Sequence, residues 1–277
     1  MRKRNLFLLF AFLFFITVLH SCNGNHEENK IQTKNINTVE NELSAKESTL
    51  IKSINTYPDS LLCKENLIQF YRANNQYDKA IKSVNQFILD DSLNIRFIHI
   101  KGVLLMENSD TIEAVKCFEK CLSIYPLSLD LINLGAIYAN QQNIKSISIA
   151  DKLLNEFKDE AEKEAYFIKG SYYSNIGNKK MAITYFDSCI NHTITFMEAY
   201  REKALALAEE RKYKEAISTL KKAVTLNNNY PEGYFYLGKI YEKTKDISNA
   251  VEAYQTALLY DPSYKEAAEA IKRLNHQ

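Results

Sequence analysis

Residues 231–264 read PEGYFYLGKIYEKTKDISNAVEAYQTALLYDPSY. Counted from Pro231, the residues Tyr234, Leu237, Gly238 and Tyr241 fall at positions 4, 7, 8 and 11. Ala250, Tyr254, Ala257 and Pro262 fall at 20, 24, 27 and 32. Steps of three and four put each set on one face of a helix. Pro262 stops the second helix, because proline cannot continue it. The stretch therefore predicts two helices joined by a polar turn. Their small residues, Gly238 and Ala250, are expected to face each other and let the backbones approach closely.

The pattern recurs upstream, with copies starting near 61, 95, 128, 163, 197 and 231. Position 8 reads Ile68, Gly102, Gly135, Gly170, Ala204 and Gly238. Four of only seven glycines stand in that one column, so they mark a packing requirement. Position 20 reads Ala80, Ala114, Ile147, Ala182, Ala216 and Ala250. Position 24 reads Val84, Phe118, Asp151, Phe186, Leu220 and Tyr254, large groups that fill space beside the small ones. Position 27 reads Phe87, Cys121, Leu154, Cys189, Ala223 and Ala257. These columns at a period of 34 resemble the tetratricopeptide repeat family. The resemblance implies an all-α superhelical solenoid of about six helix–turn–helix repeats and a role as an interaction scaffold.

The six copies run from 61 to 264. The third is irregular: Gly102 to Gly135 is one residue short and Gly135 to Gly170 one long, and Asp151 stands where an aromatic belongs. Residues 265–277 are expected to form a C-terminal capping helix with Ala268, Ile271 and Leu274 inward. Residues 39–60, with Leu43, Leu50, Ile54 and Pro58, match a decayed half repeat and predict an N-terminal cap. Open-ended solenoids need such caps for solubility.

Residues 1–21 read as a secretory signal: Arg2, Lys3 and Arg4, then an apolar run from Leu6 to Leu19, too short for a comfortable membrane span. The run ends Leu19-His20-Ser21-Cys22, which resembles a bacterial lipobox, with His20 unusual at its place. Lipidation of Cys22 is the expectation; an ordinary signal with a chance cysteine is the plainer alternative. Residues 22–38 then form a polar tether, about 15 residues of which span at most roughly 50 Å. The implied location is the cell envelope of a Gram-negative-type bacterium, anchored to the outer membrane by lipid.

The chain carries 35 basic and 34 acidic residues. That balance argues against nucleic acid, or an anionic membrane surface, as the main partner. Cys121 and Cys189 read as buried packing thiols; Cys117, one helical turn from Cys121, is poorly placed to pair with it. His26, His99, His192 and His276 are scattered without ligand spacing, so no metal is expected. No GxSxG, HExxH or glycine-rich phosphate loop occurs. Neither catalytic residues nor a cofactor are expected, and the chain does not read as an enzyme.

In the family resembled, the first helix of each repeat lines a concave surface. That geometry nominates Asn66, Asn133, Phe167, Arg201 and Tyr236 as a partner-binding groove for a protein or peptide. Asn133, Phe167, Arg201 and Tyr236 stand in no column needed for hairpin packing. The chaperone-binding subclass of such repeats carries a clamp of lysines, arginine and asparagine for a terminal carboxylate. Here Glu164, Glu198 and Glu232 occupy position 2 of the last three copies, which disfavours that activity. The leading expectation is a lipid-anchored scaffold for envelope proteins. The alternative is a substrate-binding surface lipoprotein of a nutrient-uptake system, which the absence of tryptophan disfavours for sugars.

Overall fold

The computed structural model describes residues 42–275, which are helical throughout apart from short connections. The chain divides into two compact units, 1–125 and 126–277. Cys22 and the leader and tether expected around it lie outside the described residues, as do 39–41 of the expected N-terminal cap.

In the first unit, helix α1 covers 42–56. It is followed by α2 (Leu61–Ala73), α3 (Tyr77–Asp90), α4 (Ile95–Glu107) and α5 (Thr111–Ile124). Leu43, Leu50 and Ile54 of α1 pack on a core of Ile68, Tyr71, Val84 and Phe87, which is the capping role expected. Glu47 fastens this cap: it accepts the Tyr71 hydroxyl at 2.8 Å and pairs with Lys79 at 3.0 Å.

The second unit contains α6 (Ser128–Asn140), α7 (Lys145–Glu156), α8 (Lys158–Asn175), α9 (Lys179–His192), α10 (Met197–Glu209), α11 (Tyr213–Leu226), α12 (Pro231–Lys243), α13 (Ile247–Tyr260) and α14 (Lys265–Leu274). Even-numbered helices from α2 to α12 open a repeat (helices A) and the odd-numbered ones close it (helices B). Several begin on a side-chain cap. Ser60, Asn94, Asp110, Asn178 and Asp246 each accept the backbone N–H three residues on. Each such cap contributes about 1 kcal/mol.

All six hairpin turns share one device that the sequence conceals. Position 15 is left-handed in every copy: Asn75, Ser109, Gln142, Gly177, Arg211 and Lys245, with φ between 55° and 86°. The next residue's N–H then reaches back to the carbonyl of position 11, as from Asp246 to Tyr241 at 2.9 Å and from Asn178 to Tyr173 at 2.8 Å. This six-to-one bond terminates helix A.

The core corrects one expectation. A Cβ added to Gly102, Gly170 or Gly238 would lie nearest the ring of Phe118, Phe186 or Tyr254, at 2.8, 2.6 and 2.5 Å. The closest approach is thus between columns 8 and 24, rather than 8 and 20. Sizes compensate across that contact: glycine meets an aromatic ring, Ala204 accompanies Leu220, and Ile68 accompanies Val84. All these column-24 side chains are fully buried.

The third hairpin departs in register. Ser146, Ala150 and Leu153 are buried there, not Ile147, Asp151 and Leu154. The cause is a tighter first turn: Ser146 and Ile147 bond to carbonyls three residues back, those of Asn143 and Ile144. The inward face therefore comes one residue early. Asp151 points outward and pairs with Lys169 at 2.5 Å. Ile168 of α8 fills the space above Gly135 that a ring fills elsewhere. The compensating residue is absorbed at Ala161, whose φ of −137° interrupts α8.

At the C-terminal end, α14 caps the core with Ala267, Ala270 and Leu274 buried. Ala268, expected inward, is exposed.

Candidate functional site

The A helices of the second unit, α6, α8, α10 and α12, present one residue of the expected strip each. Their situations differ sharply. Asn133 is partly exposed on α6. Phe167 on α8 is half-buried between two rings, its centroid 5.6 Å from Phe186 and 5.2 Å from Phe196. It packs against the buried cores of the fourth and fifth repeats while staying partly exposed, although no hairpin column was expected to need it.

Arg201 is 5% exposed. Its Nε donates to Glu202 at 3.0 Å and its Nη1 to Glu232 at 2.8 Å. Burial opposes the guanidinium charge, but Glu202 and Glu232 more than offset it, so its pKa lies above the ordinary arginine value. Burial raises the Glu232 carboxyl above the usual range, against the pull of Arg201. Arg201 is therefore a bracing residue between α10 and α12. This corrects the expectation that it stands free for a partner.

Tyr236 on α12 is partly exposed. Phe235 packs edge-on against it at 5.4 Å, and Lys239 Nζ lies 5.4 Å from the centre of each ring. Beside them, between α12 and α14, opens a crevice of about 600 Å³. Phe235, Tyr254 and Ala270 line it. Lys239 and Lys243 come from α12, and Glu266 and Glu269 from α14. Glu242 and Arg273 complete the wall as a two-bonded pair at 2.6 and 2.8 Å. The Tyr254 hydroxyl donates to the same Glu242 at 2.5 Å. Arg273, with Tyr254, holds the Glu242 carboxyl below its ordinary pKa, although burial opposes this. The crevice has a fixed floor and exposed charges of both signs on opposite sides.

In the first unit, Asn66 is exposed on α2. Around it, Glu65 pairs with Arg96, and Arg72 with Glu107. Glu65–Arg96, Arg201–Glu232 and Glu242–Arg273 are each separated by 31 residues. The first two join position 5 of one repeat to position 2 of the next. That spacing was a readable signal. Opposite charges 31 apart in a 34-residue repeat mark rungs between neighbouring A helices, and so subtract residues from the list of free groove positions.

Cys121 and Cys189 sit as packing groups. Both are fully buried, and burial pushes the Cys189 thiol up to about 12. Both Sγ atoms face the position-1 carbonyl of their own repeat, Ile95 and Lys163. No cluster of three or more metal-binding side chains occurs among the described residues.

Family models of the tetratricopeptide repeat match residues 95–126, 163–191 and 231–264, and a model described as TPR repeat matches 204–245. The chain carries tetratricopeptide repeats. Among known proteins, it is 24% identical over 236 residues to stress-induced-phosphoprotein 1 of Caenorhabditis elegans, across 73% of this chain and 72% of that protein. It is 34% identical over 211 residues to Hsp70-Hsp90 organizing protein 2 of Arabidopsis thaliana, across 72% of this chain but only 34% of that one. Among solved structures, a tetratricopeptide repeat protein from Parabacteroides merdae superposes with a TM-score of 0.69 at 19% identity, over 90% of this chain and 98% of that one. PilW, a type IV pilus biogenesis factor, gives 0.62 at 19% identity, over 76% and 96%.

Proposed function

We propose that this chain is a protein-interaction scaffold whose A-helix face binds a partner segment at the C-terminal crevice. The observation that carries the reading is the crevice between α12 and α14. A floor of Phe235, buttressed from beneath by the fully buried Tyr254, is flanked by exposed Lys239 and Lys243 on one side and Glu266 and Glu269 on the other. Aromatic floors edged by charge are where interface energy concentrates. A peptide segment carrying an apolar side chain between charges of both signs matches this arrangement. Tyr236 extends the same surface, while Phe167 and Arg201 shape it without being available to it.

The names of two relatives point to chaperone organisation. Position 2 of the last three repeats is glutamate, and Glu232 is already committed to Arg201. An acidic column repels a terminal carboxylate, so this reading is the weaker one.

The basic start, the short apolar run and Cys22 support placing the scaffold on a bacterial envelope membrane through a lipid. After a high-salt wash that strips electrostatically held protein, Cys22→Ser should no longer fractionate with membranes or should remain unprocessed; full membrane recovery after that wash with the leader removed would overturn the anchor. For the scaffold itself, captured partners should be compared between the wild type and Tyr236→Ala/Lys239→Ala/Lys243→Ala. A partner lost from the triple variant, and kept by an equally folded Lys152→Ala/Lys221→Ala control, supports the crevice. Retention by both overturns it.

A further inference from the structure

The near-neutral total charge conceals a segregation within the second unit. Its four hairpin turns read NQQNIKS (140–146), NIGNKK (175–180), EERKYKE (209–215) and EKTKDIS (242–248), with eight basic and five acidic side chains. The connections between its hairpins read NEFKDEAEK (155–163), NHTITFME (191–198), LNNNYPE (226–232) and YDPSYKE (260–266), with three basic and eight acidic. Helical hairpins stacked side by side put all turns of the first kind on one edge. Contacts bear this out. Asn175 Nδ2 donates to the Ala139 carbonyl at 3.1 Å, Lys179 pairs with Glu209 at 2.7 Å, and Thr244 shares a cavity with Arg211–Glu215.

Three further observations bear on that edge. Arg211, Lys212, Lys214 and Lys245 are exposed, and among the described residues none is held in an ion pair. Large aliphatics stand among the cations: Ile144, Ile176 and Ile247 are 62%, 44% and 42% exposed. The cavity of about 450 Å³ beside Arg211, Lys212 and Lys214 is wide enough for a phosphate headgroup.

We propose that this edge docks on a bilayer rich in anionic lipid, with the cations at the phosphates and the isoleucines at the acyl boundary. Interleaved basic and apolar side chains suit such an interface better than an acidic protein, which would leave the isoleucines unmatched. A basic patch with apolar side chains adds membrane affinity of its own, whatever else anchors the chain. The docking does not depend on the crevice or on Cys22.

The test uses a chain starting at Val39, since the cores described are closed by residues from Leu43 to Leu274. Its sedimentation with phosphatidylcholine vesicles is compared with that on vesicles containing about a third phosphatidylglycerol. Partitioning should be at least about tenfold stronger on the anionic vesicles and weaken as salt rises. Arg211→Gln/Lys212→Gln/Lys214→Gln/Lys245→Gln should remove most of that preference. Glutamine is compatible with the turn, since Gln142 holds the same place at φ of 58°. An equally charge-reduced control, Lys152→Gln/Lys158→Gln/Lys221→Gln/Lys222→Gln, should retain it with unchanged melting. Equal binding to both vesicle types, or equal loss in the control, would overturn the proposal. So would a wild type that ignores vesicles but binds polyglutamate, which would identify an acidic polypeptide as the occupant.

Discussion

The middle of the A-helix face and its C-terminal end use similar residue types to opposite purposes. At α8 Phe167 is half-buried against Phe186 and Phe196, and at α10 Arg201 is a buried brace. At α12, the corresponding aromatic and cationic groups, Tyr236, Lys239 and Lys243, edge an open crevice. The difference comes from what lies across the next helix. Arg201 finds Glu232 at 2.8 Å on the neighbouring A helix, and Phe167 finds Phe186 and Phe196. Beyond α12 comes the cap, whose Arg273 takes Glu242, while Lys239 and Lys243 stay exposed at the crevice rim. A groove position is free only where the following repeat supplies no partner.

Arg201→Ala gives the largest expected effect on this contrast. Removing one side of a buried pair strands Glu232 and Glu202, at a cost of about 3–5 kcal/mol. Chemical denaturation should show it. The loss should shrink as pH is lowered. The Glu232 carboxyl already titrates above its unfolded value and would rise further without the arginine. The penalty is therefore absent below the unfolded pKa, where both states are protonated, grows between the unfolded and the folded pKa, and is complete above the folded one. An Arg201→Ala protein as stable as wild type at neutral pH would break the contrast.

Phe167→Ala should follow, at about 2–4 kcal/mol, because the half-buried ring supports two others. Thermal unfolding decides whether it belongs with the core or the crevice.

A smaller and more discriminating pair concerns the glycine column. Gly238→Ala meets the Tyr254 ring at 2.5 Å, and Tyr254 is pinned through its hydroxyl to Glu242. Overpacking should cost about 1–3 kcal/mol and disturb the crevice floor. Gly135→Ala meets the end of Ile168 at 2.8 Å, which can swing away, and Ile149 Cγ2 at 3.1 Å, a contact that a shift of a few tenths of an ångström relieves. The gain in helix propensity, about 0.5–1 kcal/mol, should make that change neutral or mildly stabilising. Equal melting of the two variants would refute the compensation of columns 8 and 24.

Glu65→Gln should be the mildest change. Its partner Arg96 is 61% exposed at the side chain, and pairs of that kind contribute under about 1 kcal/mol. Guanidinium denaturation should barely separate it from wild type.

Much of the fold was legible because it rests on periodic apolar positions. The repeat register, the buried alanines of column 20 and both caps follow from spacing alone. Two features were not. The left-handed position 15 is filled by Asn, Ser, Gln, Gly, Arg and Lys, so no residue type betrays it; the backbone bond to position 11 does the selecting. The one-residue shift in α7 depends on a tighter first turn at Asn143; Asp151 in an aromatic column marked the irregularity but not its direction. At the candidate site, residue type suggested Phe167 and Arg201. What withdrew them were partners 19 to 31 positions away, visible in sequence only if charges are compared between repeats.

The central claim is that the partner is held at the crevice and not along the whole strip. The most direct measurement is partner affinity, alongside melting, for Tyr236→Ala/Lys243→Ala. The account predicts a change in stability of under about 1 kcal/mol with at least about tenfold weaker binding. Unchanged affinity in this folded variant would contradict it.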